Sequence, residues 1–305
     1  MKSLRLIGLI ALVPFCSWGA DNPNVGEASL SRSVSTQTNT ANELHSLETA
    51  DDVAQAEVES WVRQNNEAKA KGAGISQAEL DKRIEQRLEP VRKGYEDFIQ
   101  RYPGNARAHL VLGNFLNDRQ DEPGAQLQWE KALELDPKNP EVYNNLAGRY
   151  TETGPVNKVF EYFAKAIELS PDQGNFYHNF GDSLYVLRQR AAPYYGITEQ
   201  QVFARVLLLY SNAVRLEPKN YAFARDLAQT YYSVKPFPTD EALQAWTNAL
   251  TTAQEESDRE DVYVHLARVK MLAGHFAEAR AQLGAVTNES CLKAKTSLLQ
   301  NLEQR

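Results

Sequence analysis

Apolar positions along this chain recur in a pattern that repeats every 34 residues, most clearly between residues 106 and 173. One unit carries Leu112-Gly113, Leu116, Ala125, Trp129, Ala132 and Pro137. The next carries Leu146-Ala147, Tyr150, Val159, Phe163, Ala166 and Pro171, each 34 residues after its counterpart. A period of this length predicts stacked pairs of antiparallel helices, here called A and B. Large residues at Leu112, Leu146, Trp129 and Phe163 are spaced to fill the seams between helices. Gly113, Ala125 and Ala132 fall where helices must approach closely. Ala132 and Ala166 are therefore expected at buried crossings. Pro137 and Pro171 end the B helices, because proline lacks the N–H that continuation requires. A single pair cannot bury its apolar face, so neighbouring units must stack.

The pattern continues with interruptions. A third unit starts at Gly174 with Tyr177, Phe180-Gly181 and Leu184, and resumes at Val206, Tyr210, Ala213 and Pro218 after 13 extra residues. A fourth has Leu227-Ala228, Tyr231, Ala242, Trp246 and Ala249, with Pro236 and Pro238 in a longer turn. A fifth, degenerate, has Tyr263, Leu266-Ala267, Gly274, Ala279 and Leu283, with Lys270 where an aromatic is usual.

These units resemble the tetratricopeptide repeat family, whose unit carries a large residue at position 4 and Leu-Gly or Leu-Ala at positions 7 and 8. Aromatics follow at 11 and 24, alanines at 20 and 27, and proline at 32. The unit from Ala106 departs from it at His109 and Leu116. The unit from Pro140, with Tyr143 at position 4, departs only at Val159. The resemblance implies an all-α, right-handed superhelical solenoid that binds a protein or peptide partner. In the family, helix A lines the concave surface through positions 2, 5, 6, 9 and 12. Here these positions supply Asn114, Asn117, Asn144, Asn145, Asn175, His178, Asn179 and Asp182. The fourth unit adds Arg225, Asp226, Gln229 and Tyr232, and the fifth adds His265 and Arg268. An amide both donates and accepts, so a row of asparagines suits the backbone of an extended peptide of any sequence. Asn145 and Asn179 share position 6 and are expected to rise along one wall at the repeat spacing. Family members that bind chaperone tails share a carboxylate clamp of two asparagines and three cations. Asn114 and Asn145 match the asparagines, but Leu110, Asn175 and Asn179 stand where the cations should be, so that function is not carried over.

Outside the array, Lys2 and Arg5 followed by a mostly apolar run, Leu6 to Phe15, read as an export signal over residues 1–20. The run is too short to span a bilayer. Cys16 raises a lipoprotein alternative, but Pro14 and Phe15 do not suit a lipidation signal. An exported protein, periplasmic or secreted, is the expectation. Residues 21–45 are rich in Ser, Thr and Asn and read as a disordered leader. Residues 46–105 read as a helical cap, broken at Gly72-Ala73-Gly74 and restarted by Ser76 and Glu79, with a bend at Pro90. Its last turns, Tyr95, Phe98 and Pro103, fit the end of a unit preceding Ala106. The array spans 106–287, and 288–305 is a capping helix with Leu292, Leu298, Leu299 and Leu302.

Charge and chemistry narrow the function. The chain has 33 basic and 40 acidic side chains, a net charge of −7. That disfavours general nucleic-acid binding, which needs a basic face, and anionic membrane surfaces. Cys16 and Cys291 are the two cysteines, and removal of residues 1–20 leaves no intrachain disulfide. No phosphate-binding loop, His-Glu-x-x-His or Cys-x-x-Cys is present, so neither an enzyme nor a cofactor is expected. His178 and Asp182 lie four apart on one helix face, but two ligands do not make a metal site. In the insertion, Tyr194 and Tyr195 beside Pro193 and Gly196 suggest an aromatic interface lip, and Thr198 with Gln201 a helix cap. The reading is a non-catalytic scaffold gripping a peptide in its groove. The alternative is a structural subunit of an envelope assembly, using its convex face and caps.

Overall fold

The computed structural model describes residues 24–304, with side chains from Thr38 onward. The expected signal segment, Cys16 and residues 21–23 lie outside the described residues. Fourteen α-helices and one 3-10 turn make up the described secondary structure, without strands. None of these helices is long and apolar enough to cross a membrane. The residues fall into two compact units, one ending at Gly94 and the other beginning at Tyr95.

The first unit holds helix α1 (Asn24–Ala70) and most of α2 (Gln77–Arg101). The start of α1 corrects the expectation of a disordered leader over 21–45. Neither glycine nor proline interrupts the sequence from residue 27 to 70. Just past residue 45, hydroxyls bond back into the same helix. Ser46 donates to the Asn42 carbonyl and Thr49 to the His45 carbonyl, each at 2.9 Å. Leu44 is buried, and Leu47 lies so close to Gly94 that a Cβ there would come within 2.8 Å of it. The polar composition hid an apolar contact that starts before residue 50.

The break falls where glycine was expected to put it, with Gly72 at φ +77°. Asn65 ties the loop down by accepting from the Ile75 N–H at 2.9 Å, and the Ser76 hydroxyl caps α2 by accepting from the Glu79 N–H. Arg87 pairs with Glu57 at 2.6 Å, and the Arg83 guanidinium sits 4.0 Å above the Trp61 ring.

The second unit opens with the last turns of α2, where Tyr95 and Phe98 are fully buried and Tyr95 packs against Phe115. Helix pairs follow: α3 (Ala106–Asp118) with α4 (Glu122–Leu135), then α5 (Pro140–Thr153) with α6 (Val156–Leu169). Asn105 and Asn139 cap the two A helices through their side chains. The 34-residue period appears as a close fit between positions 8 and 24. A Cβ on Gly113 would stand 2.5 Å from the Trp129 indole, and one on Gly181 would stand 2.6 Å from the Tyr210 ring. The glycines let an aromatic from helix B lie against the backbone of helix A. Ala132 and Ala166 are buried, at 1% and 0% exposure, as their positions require.

The insertion in the third unit forms an additional helix. Helix α7 (Gly174–Val186) leads through α8 (Arg188–Tyr195) to the long α9 (Glu199–Leu216), which starts with the expected Thr198–Gln201 capping box. Gly196, at φ +65°, ends α8. Tyr194 and Tyr195 do not project as a free lip. Their rings lie 5.1 and 5.2 Å from Phe160, and the Arg205 guanidinium covers Tyr195 at 4.3 Å. Burial pushes the Tyr195 hydroxyl up to about 12. Only Tyr194 keeps substantial exposure.

Next come α10 (Tyr221–Thr230), a 3-10 turn (Tyr231–Ser233), α11 (Thr239–Thr252), α12 (Glu256–Leu272), α13 (Phe276–Gly284) and α14 (Glu289–Glu303). Trp246, fully buried, centres the core shared by α10, α11 and α12. Leu298, Leu302 and Cys291 of α14 join a second core with Val264, Ala279 and Leu283, while Leu292 stays exposed.

A buried carboxylate latches α14. Glu260, 2% exposed, accepts from the Thr287 N–H and hydroxyl, each at 2.7 Å, and from the Asn288 N–H. The Asn288 bond is the strongest influence holding this carboxyl below the ordinary glutamate range, against burial and with Thr287 assisting. A carboxyl depressed on folding stabilises the fold above its unfolded value, and that contribution disappears as pH falls through the folded value. Glu260→Gln is expected to speed hydrogen exchange in α14 at neutral pH while α3 to α7 are unaffected. On acidification the wild-type α14 should come to exchange like the variant's. Equal exchange at neutral pH would remove the latch from the account.

Candidate functional site

The A helices of the first three units place a row of amides where their side chains meet. Asn114, in α3, is the first member. Its Oδ1 accepts from the Trp129 indole N–H at 2.9 Å and from the Asn145 amide at 2.8 Å. Asn144 donates to Asn145 Oδ1 at 3.2 Å, and Asn179 donates to Asn144 Oδ1 at 3.1 Å. This amide orientation is the one the hydrogen-bond network dictates. The result is a ladder running from unit one to unit three, anchored on the buried Trp129. Thr151 and Ser183 extend it by joining α5 to α7 at 2.9 Å.

The ladder backs a cavity of about 560 Å³. Of the residues expected from sequence, Asn114, Asn117, Asn144, Asn145, Asn179 and Asp182 line it. Asn145 and Asn179 do stand on one wall, but their amides are already engaged with other asparagines. They are parts of a preorganised surface rather than a row of free hydrogen-bonding groups. Asn175 is exposed outside the cavity, as is Gln229.

Sequence reasoning missed Asp118, Glu122, Arg149 and Glu152 in the lining. Asp118 and Glu152 sit in the last turns of A helices, beyond the positions read as groove-facing, Arg149 falls between two of those positions, and Glu122 begins a B helix. Arg149 pairs with Glu122 at 2.9 Å and with Glu152 at 2.7 Å. Burial pushes the Asp118 carboxyl above its ordinary value, opposed by the Asn117 amide. Asp182 is also raised, by burial, against a hydrogen bond from Tyr210 and the neighbouring His178.

His178, Asp182 and Arg225 belong to a second group that the sequence showed only in part. The fold adds Asp226, so that His178, Asp182 and Asp226 offer ligand atoms within 4.8 Å of one another. Two potential ligands thus become three, but other partners compete for them. Arg225 bonds Asp226 Oδ1 at 3.1 Å, Tyr210 donates to Asp182, and His178 Nε2 meets Asp226 Oδ2 at 2.9 Å. Burial would raise Asp226, but the His178 bond and the Arg225 charge outweigh it and hold the carboxyl low. A carboxylate already bonded to a guanidinium is a poor cation ligand. The group reads as a latch between units three and four, with the His178 ring stacked on Phe223 at 4.5 Å.

Tyr232 lies in a third group. Its ring stacks on Phe237, and its hydroxyl reaches His265 Nδ1 at 3.2 Å. His265 lies flat on Trp246, with centroids 4.1 Å apart. Burial, then the Arg268 and Arg225 charges, pull His265 down to about 4, so the ring is neutral at ordinary pH. Burial pushes Tyr232 up to about 12. These residues hold units four and five together instead of extending the amide wall.

The fold is that of tetratricopeptide repeat proteins. YrrB, a repeat protein of this type described as having an unusual peptide-binding site, is similar over 68% of this chain and 97% of its own, with a TM-score of 0.53 and 15% identity. PilF of Pseudomonas aeruginosa is similar over 75% of this chain and 90% of its own, with a TM-score of 0.51 and 16% identity. PilW, a type IV pilus biogenesis factor, is similar over 73% and 96%, with a TM-score of 0.51 and 18% identity. No protein-family model matches the chain.

Proposed function

We propose that this chain is a non-catalytic protein-interaction scaffold that holds an extended segment of a partner protein against its amide wall. The observation that carries this reading is the ladder itself. Four asparagines from three units, with Asn144 only 8% exposed, are fixed in orientation at the back of one open cavity. A surface whose polar groups are ordered beforehand loses less conformational entropy when a peptide docks. YrrB, with the same fold, is described as having a peptide-binding site. The apolar start of the chain favours an exported protein, acting in the periplasm or outside the cell.

One observation favours the alternative of an envelope subunit that docks through its outer face. Leu127 and Leu208 occupy the same position of units one and three, and both are about two-thirds exposed, at 64% and 65%. A photo-crosslinking side chain placed at Asn117, and separately at Leu208, distinguishes the readings in an envelope extract. The groove reading expects a discrete adduct from the Asn117 position and none from Leu208. An adduct from Leu208 alone would transfer the function to the outer face.

A further inference from the structure

We infer that the cavity takes a peptide segment carrying a basic side chain, an arginine or a lysine, seated among Asp118, Asp182 and the asparagine ladder. This rests on the groove reading and adds the chemistry of the partner.

The charge of the lining is lopsided. Four carboxylates, from Asp118, Glu122, Glu152 and Asp182, face a single guanidinium. That guanidinium, Arg149, is engaged twice, by Glu122 and Glu152. No lysine or arginine of the lining is left for Asp118 and Asp182, and Asp182 meets only the Tyr210 hydroxyl and the His178 ring. They belong to units one and three, so one stands toward each end of the ladder. Between them the wall offers neutral amides, which suit a peptide backbone. An acidic segment would be repelled at both ends, and an apolar side chain would strand polar groups. A cationic side chain would gain charge-assisted hydrogen bonds. Burial raises both carboxyls, opposed at Asp118 by the Asn117 amide and at Asp182 by Tyr210 and His178. A bound cation would reverse that.

The test uses the whole chain and three end-blocked Gly-Ser nonapeptides, with arginine, norleucine or glutamate at the centre. Affinity is read by fluorescence polarisation, and location by the side-chain amide resonance of Asn145. The arginine peptide should bind about tenfold more tightly than the norleucine peptide, the scale of one charge-assisted hydrogen bond, and the glutamate peptide more weakly than either. Asp118→Asn should erase most of that preference while leaving the melting temperature of the chain unchanged, because Asp118 is the last residue of α3. Rising salt should narrow the arginine advantage. Equal binding of the arginine and glutamate peptides, with the Asn145 amide still shifting, would overturn the charge inference and leave the groove reading standing. Binding that leaves Asn145 unmoved, or no binding of any of the three, would overturn both.

Discussion

Trp246→Ala is expected to cost about 3–5 kcal/mol, the scale for removing a large aromatic from a core that cannot collapse around the space. Trp246 is fully buried among Ala224, Ala228, Ala242, Ala249, Val262 and Leu266, contributed by three consecutive helices. Those neighbours are mostly alanines, whose short side chains cannot move far enough to fill the void. The His265 ring would also lose its stacking partner. In a stack of this kind each unit is stabilised by its neighbours, so the loss should not spread evenly. The expected result is a split denaturation curve, with units four and five unfolding before α3 to α7. A single transition displaced by less than about 1 kcal/mol would mean that the core assigned to the fourth unit is not what holds it.

The second large effect concerns the amide ladder. Asn114→Ala removes the acceptor of the Trp129 indole N–H, and Trp129 is only 4% exposed. A buried donor left without a partner costs about 1–3 kcal/mol. Asn114 Oδ1 accepts both of its bonds to Trp129 and Asn145. A carboxylate can accept the same two, so Asn114→Asp is expected to stay within about 1 kcal/mol of the native chain. The contrast between the two variants, read by denaturation at neutral pH, isolates the hydrogen bonding from the change in shape. Similar losses in both would show that the ladder contributes little.

The fold was largely legible because the repeat is written in side-chain volume. Gly113 opposite Trp129 and Gly181 opposite Tyr210 are the clearest cases, since each glycine sits where its partner ring must pass. The interrupted third unit was readable for the same reason, with Val206, Tyr210 and Ala213 resuming after α8. The first helix was not, because its Ser- and Thr-rich opening matches a solvated leader. Only contacts such as that between Leu47 and Gly94 show otherwise, and they depend on residues far apart in sequence. The site was legible in halves. Helix periodicity placed the asparagines on one face but could not show that they bond one another across units. Asp226 lies 48 residues from His178, so their contact depends on how units three and four stack. The carboxylates around Arg149 were missed because they stand at helix ends, where one residue of phase decides which way a side chain points.

The proposed groove reading requires that partners dock on the A-helix wall of the first three units. Hydrogen exchange of the whole chain, with and without a crosslink-identified partner segment, tests it most directly. Slowed exchange in α3, α5 and α7, with α4, α6 and α9 unchanged, is the result predicted. Protection confined to α4, α6 and α9, with the A helices unaffected, would contradict it.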